Sequence, residues 1–382
     1  MSWVQQARLT MWAIGLSVGA GIYALIGDIV KASGTWAPGM FAAASFVMLC
    51  NGYALAGTAR RFPHAGSILT IVRETMHPWA AVAFEVLRLV EGGLALCVTA
   101  KLTVHFAYGL VAGPDTQPSP AAEVALLAAV ALLVHRGLDT AMDLGNLGTF
   151  VEVSGLLLVI FAAAVSPAAP PSTSTPVDFA LGPATSSITQ IVFAFGGIQG
   201  VLDMAGDVED VGRVLPRVVM CAVVVTGLLY TCVCAAALSM VGVDGLTSRA
   251  VSPLGMVLEK VGFPLGTQAA LALVSLFSVG NTCMGIFAFV SRIAFSLGQH
   301  AAGKQGFWPP LVYTSMVLGT ALVGNFCDVF VLAGRVGVML LVTFVVVDYA
   351  FLTAVAATYG EKIVGTLAFA ASCALVVVDQ IA

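Results

Sequence analysis

Apolar runs near the length of a bilayer's hydrocarbon core recur along the whole chain, at about 9–31, 37–59, 79–111, 121–136, 143–165, 186–207, 214–241, 267–298, 309–325, 328–356 and 361–380. About 20 residues of helix rise roughly 30 Å, enough to cross that core. Lipid is therefore the main solvent of this chain. Only 9% of its 382 residues are charged, where a soluble protein carries about a quarter. No block of soluble composition separates the runs, so the sequence predicts one all-α polytopic membrane domain over 1–382 with eleven transmembrane helices. The first run is too long for a cleavable signal core and is expected to remain as a first span.

Basic residues set the expected orientation. With the N-terminus inside, the inner loops collect Arg8, Arg60, Arg61, Arg73, Arg136, Arg213, Arg217, Arg292, Lys304 and Lys362, against Lys31, Arg249 and Lys260 outside. This asymmetry predicts a cytoplasmic N-terminus and, after an odd number of spans, an outer C-terminus. The eight cysteines lie almost entirely within apolar runs, where they read as packing residues rather than disulfides or metal ligands. No P-loop, H-E-x-x-H or G-x-S-x-G occurs, so neither an enzyme nor a cofactor is expected, and nucleic acid is not among the expected partners.

The Pro/Ser/Thr-rich stretch 166–183 divides the first five spans (1–165) from the next five (186–356), leaving 361–380 as an additional span. Spans one and six, each opening its half, each carry a glycine cluster: "SVGAGIY" from Ser17 and "FAFGGIQG" from Phe193. A G-x-G-x-x-A pattern from Gly19 lacks the strand and acidic residue of a dinucleotide site. Gly15 and Gly19 also form G-x-x-x-G, which favours close helix packing. The pairing of clusters at corresponding positions points further, to two interrupted helices in an inverted repeat with a site at mid-membrane. A helix reopening near Ala20 and Gly21 presents free N–H groups to a carboxylate, and the Ser17 and Val18 carbonyls before the break receive an ammonium. The expected ligand resembles an amino acid.

The residues then show a family resemblance. "GAGIY" in span one is similar to the G-[S/A]-G-I-F signature of the amino acid/polyamine/organocation (APC) superfamily, and "RRFPHAGSILTIVRE" (60–74) resembles its loop after span two. "FAFGGIQGVLDMAGDVEDVGRVLPR" and "SRIAFSLGQ" match its span-six and span-eight patterns. The resemblance runs in order over about 9–350. It implies a leucine-transporter-type (LeuT-type) fold, a 5+5 inverted repeat with helices 1 and 6 broken. Backbone N–H groups at Gly19, Ala20 and Gly21 are then expected to hold the substrate carboxylate, carbonyls at Ser17 and Gly196 its amino group, and Phe193 to close over it, beside Gly197.

Departures from the family pattern mark further candidates. Gln199 stands where many members have glutamate, and twelve spans are usual. Glu152 falls where proton-coupled members often carry a lysine that occupies the place of a sodium ion. A carboxylate there is expected either to carry the proton or to bind a cation, and a structural partner such as arginine is the plain alternative. In span three, Glu85, Arg88 and Glu91 recur every three residues, a spacing that allows intrahelical ion pairing. Glu91 and Lys101 lie deeper and are candidates for choosing the substrate's side chain, as is Asp203 in span six. The resulting expectation is a secondary amino acid or amine transporter of the plasma membrane, coupled to protons or to sodium. An exchanger without ion coupling and a non-transporting sensor or accessory subunit are its rivals, and the oligomeric state stays open.

Overall fold

The computed structural model describes residues 3–62, 68–112, 119–136, 138–166, 180–202, 210–247, 253–262, 267–302, 309–324, 326 and 328–381. The described residues are helical almost throughout. The first apolar run forms three helices, α1 (Trp3–Ser17), α2 (Ala20–Tyr23) and α3 (Ile26–Ser33), and a 3₁₀ turn leads into α4 (Ala37–Arg61). The short α5 (Ile68–Thr75) precedes α6 (Pro78–Ala112), α7 (Pro120–His135) and α8 (Leu138–Val165). Run six is again split, into α9 (Leu181–Ala194) and α10 (Gly197–Leu202). Then come α11 (Val211–Leu246), α12 (Gly255–Lys260), α13 (Thr267–Ala302), α14 (Pro309–Gly324), α15 (Val329–Ala354) and α16 (Tyr359–Ile381).

Local chemistry fixes several of these starts. Ser119 caps α7 by accepting from the Ala122 N–H, with Pro120 in the first turn, and the Asp328 carboxylate accepts from the Phe330 and Val331 N–H groups at 3.0 and 3.1 Å. Each cap replaces a partner that the opening turn of a helix lacks.

Among the described residues, seven helical segments are long and apolar enough to cross a membrane: 26–61, 142–165, 181–202, 211–246, 269–295, 329–354 and 359–380. The protein is a multi-pass membrane protein. Outside these seven lie the fragmented start of the first run, the 16-residue α7 and α14, and α6, which carries Glu85, Arg88, Glu91 and Lys101.

The helices divide into an inner and an outer set. Residues 12–17 of α1 are buried around their whole circumference, and α1 packs on α8, α10, α11 and α13. By contrast only 17% of the apolar stretch of α16 is buried, against 72% for α9 and α10. In α8 the two sides are explicit: Gly145, Thr149, Glu152, Leu156 and Val159 are buried at helical spacing, while Leu144, Leu147, Phe150, Leu157 and Phe161 are exposed. The inward stripe therefore carries the carboxylate and the outward stripe meets lipid.

Candidate functional site

The two interruptions meet at the centre of the bundle. In the first, the Val18 N–H bonds back to the Ile14 carbonyl at 2.7 Å, and the next such bond is from the Tyr23 N–H to the Gly19 carbonyl at 3.3 Å. The opening amides of α2 thus lack a partner within their own helix. The carbonyls released before the break are met by side chains from other helices. Tyr230 of α11 donates its hydroxyl hydrogen to the Ser17 carbonyl at 2.5 Å, while Ser278 and Thr282 of α13 donate to the Val18 and Gly15 carbonyls at 3.3 and 3.4 Å. A second step at Ala24 and Leu25 separates α2 from α3, where no glycine announced it.

The second interruption is built differently. The Phe195, Gly196, Ile198 and Gln199 N–H groups bond to the carbonyls three residues back, at 3.0, 3.0, 3.1 and 3.2 Å. This is a tightened 3₁₀ step that satisfies most of its own backbone.

Between the breaks lies a cavity of about 40 Å³. Ser17, Gly21, Phe193, Gly196, Gly197 and Glu91 all line it. Close backbone approach explains the glycines: a Cβ on Gly21 would strike Ala194, and one on Gly197 would strike the Leu16 carbonyl. Gly19 instead abuts Thr282 of α13, and Ala20 opens α2. The Gly196 carbonyl already accepts from the Gln199 N–H, as the Ser17 carbonyl accepts from Tyr230. Each such oxygen keeps one further lone pair.

Phe193 is buried on the cavity wall. One turn earlier on α9, Thr189 and Gln190 line a second, wider cavity of about 750 Å³ together with Asp28, Lys31, Arg335 and Asp379. Phe193 thus lies close in sequence to both spaces.

The charged candidates go to different places. Glu152 is wholly buried but faces α1 at Gly15 rather than lining the cavity; a Cβ on Gly15 would sit 3.0 Å from its Oε1. The Thr149 and Ser278 hydroxyls and Asn281 surround this spot, and no cation pairs with Glu152 among the described residues. Its backbone carbonyl takes the Tyr23 hydroxyl at 2.6 Å. Glu91 accepts from the Thr343 hydroxyl of α15 at 2.7 Å. Glu85 meets Arg73 of α5 at 3.3 Å, and the Arg88 guanidinium lies 5.0 Å from the Phe289 ring centre, so span-three charges find partners on other elements. Lys101 lies near the buried Glu123 of α7 and does not line the cavity. Gln199 is buried outside the lining, with neither amide atom hydrogen-bonded among the described residues. Asp203 falls outside the described residues.

Tyr230, Thr282 and Thr343 are the participants that sequence reasoning missed. For α13 a signal existed, since Ser278, Asn281 and Thr282 place three polar side chains on one face of an apolar helix. Tyr230 offered none beyond being a tyrosine in an apolar run.

The chain is 28% identical to an uncharacterized transporter of Mycobacterium tuberculosis over 65% of its length, and spans 55% of that relative. It is 25% identical to the inner membrane transport protein YbaT of Escherichia coli over 80% of its length and 73% of that protein. With the branched-chain amino acid permease BcaP of Bacillus subtilis it shares 23% identity over 90% of its length and 78% of the relative. The chain thus spans little more than half the length of the mycobacterial relatives it matches. A model of the amino acid permease family matches residues 4–371, and the chain belongs to that family.

Proposed function

We propose that the protein is a secondary transporter of amino acids or related amines in the plasma membrane, working by alternating access around the cavity between α1–α2 and α9–α10. The observation that carries this reading is the convergence of two interrupted helices on one enclosed space, with Gly21, Gly196 and Gly197 in its wall. Interrupted backbone at membrane depth is tolerated only where protein or a polar cavity satisfies it, and a zwitterion supplies both kinds of partner. In this reading α1 to α8 and α9 to α15 form two inverted sets of five crossings with the N-terminus cytoplasmic, and α16 is an added crossing. Amides of the Gly19–Gly21 segment take the carboxylate and the second lone pairs of the Ser17 and Gly196 carbonyls take the ammonium. Phe193 closes the cavity toward the wider space lined by Gln190 and Arg335, which serves as the outer vestibule.

Coupling to protons is assigned to Glu152. A wholly buried carboxylate that no cation pairs among the described residues is costly as an anion, and in this reading it takes up and releases a proton as its surroundings change. Its place beside Gly15, one turn before the break, ties that change to the conformation of α1. Uptake of labelled amino acids into vesicles tests both parts. An imposed inward proton gradient is expected to drive accumulation by the native protein, while Glu152→Gln is expected to equilibrate substrate without responding to the gradient. Accumulation that ignores the gradient in both proteins would return Glu152 to a structural role, and no flux of any amino acid or amine would favour a sensor or accessory subunit.

A further inference from the structure

Asp348 of α15 is wholly buried, lines neither cavity described above, and has no part in the transport reading. It sits in a seam where α15 packs against both α4 and α16. Three residues on, the Phe351 ring fills the space left by Gly57 of α4 and Gly365 of α16, where a Cβ on either glycine would strike it. The polar side chains that join α4 to α16 are spent on each other. Asn51 and Ser372, both buried, exchange hydrogen bonds at 3.3 Å, and the Asn51 amide also donates to the Val47 carbonyl at 3.0 Å. Neither is hydrogen-bonded to Asp348, and both of its carboxylate oxygens lack a hydrogen-bond partner among the described residues.

Counter-charge is missing as well. Among the described residues, the titratable groups that face Asp348 are the thiols of Cys50 on α4 and Cys373 on α16, while Tyr53 of α4 turns its ring to Phe351. Charges on the elements packed against α15 are engaged or exposed elsewhere. Arg73 of α5 pairs with Glu85 of α6, Arg88 lies over Phe289, Glu91 meets Thr343, and Lys101 lies near Glu123. Glu361 takes N–H groups at the start of α16, Asp379 takes the Thr189 hydroxyl, and Arg60, Arg61, Glu74, Arg335 and Lys362 are exposed. In α9 there is no charged residue.

A carboxylate ion in such a seam has neither water, a donor nor a cation, and either a proton or an opening of the seam relieves it. Of the helices around it α16 has least to lose by moving, since 17% of its apolar stretch is buried, against 50% for α15 and 61% for the segment that contains α4. We infer that Asp348 is a proton-binding site separate from Glu152, and that loss of its proton frees α16 from α4 and α15. The inference concerns the folded protein whether or not it carries a substrate.

Unfolding of the purified protein in a denaturing detergent, followed from about pH 5 to 7, tests the proton. An aspartate in an unfolded chain ionises at about pH 3.9, so a proton kept by the fold makes unfolding easier by about tenfold in the equilibrium constant for each pH unit above that. The unfolding constant of the native protein divided by that of Asp348→Asn is therefore expected to rise about tenfold per pH unit. A ratio that stays level overturns the proton site. Should Asp348→Asn not fold, Glu152→Gln takes its place: with Asp348 intact its unfolding constant is still expected to climb about tenfold per pH unit, and a flat profile overturns the site. Native against Glu152→Gln reads the other carboxylate, so failure of one assignment leaves the other standing. Backbone hydrogen exchange of the native protein from about pH 6 to 9, corrected for the intrinsic rate, tests the release of α16. Amides of α16 are expected to lose protection several-fold while those of α13 keep theirs, and α16 amides equally protected throughout would overturn the release.

Discussion

The two helix interruptions, between α1 and α2 and between α9 and α10, line one cavity, yet their backbones are satisfied in opposite ways. The first depends on its neighbours: Tyr230, Ser278 and Thr282 reach in from α11 and α13 to the Ser17, Val18 and Gly15 carbonyls. The second depends on itself, through successive bonds to carbonyls three residues back from Phe195 to Gln199. A break held by borrowed donors changes when those donors move. One held by its own turn travels as a rigid piece. The difference teaches that glycine clusters of similar look can mark two kinds of break, one completed by neighbouring helices and one completed by its own turn.

Substitutions that act on one interruption alone put this contrast to the test. The largest effect is expected from Gly21→Leu, because even a Cβ there would strike Ala194, and a longer side chain would enter the cavity. Ligand-induced stabilisation should vanish; retained affinity would remove the carboxylate from the first break. Tyr230→Phe keeps the ring but deletes the donor to the Ser17 carbonyl. Leaving a buried acceptor without its partner costs about 1–3 kcal/mol, so the melting temperature should fall. An unchanged melting temperature would mean that the first break does not rely on its neighbours. The smallest effect is expected at Gly196→Ala, where the added Cβ would lie 3.1 Å from the Phe193 carbonyl and 3.3 Å from Leu340 Cδ2. The leucine tip can yield by a few tenths of an ångström, so stability should drop by less than about 1 kcal/mol. A loss as large as that of Tyr230→Phe would make the two breaks equally fragile.

Much of this arrangement was legible in the sequence because its signals are local. Glycines cluster at Gly19–Gly21 and Gly196–Gly197, and the chain departs from regular helix there. Ser17, Gly21, Phe193, Gly196, Gly197 and Glu91 share one cavity wall. What stayed hidden is long-range. The contact of Tyr230 with Ser17 spans 213 residues and that of Thr343 with Glu91 spans 252. Such pairings follow from how α11 and α15 pack and leave no spacing to read. The step at Ala24 and Leu25 was hidden for another reason: both residues favour helix, and tertiary packing overrides their preference there. Charge spacing along α6 pointed to pairs within one helix and gave no sign of the partners that helix packing adds, Arg73 for Glu85 and Thr343 for Glu91.

At Gly197 no side chain stands between the backbone of α10 and the carbonyl of Leu16. Two peptide planes in direct touch have no rotamers with which to absorb a shift. Any side chain at Gly197 would therefore have to push the two backbones apart, and the cavity they share would widen with them.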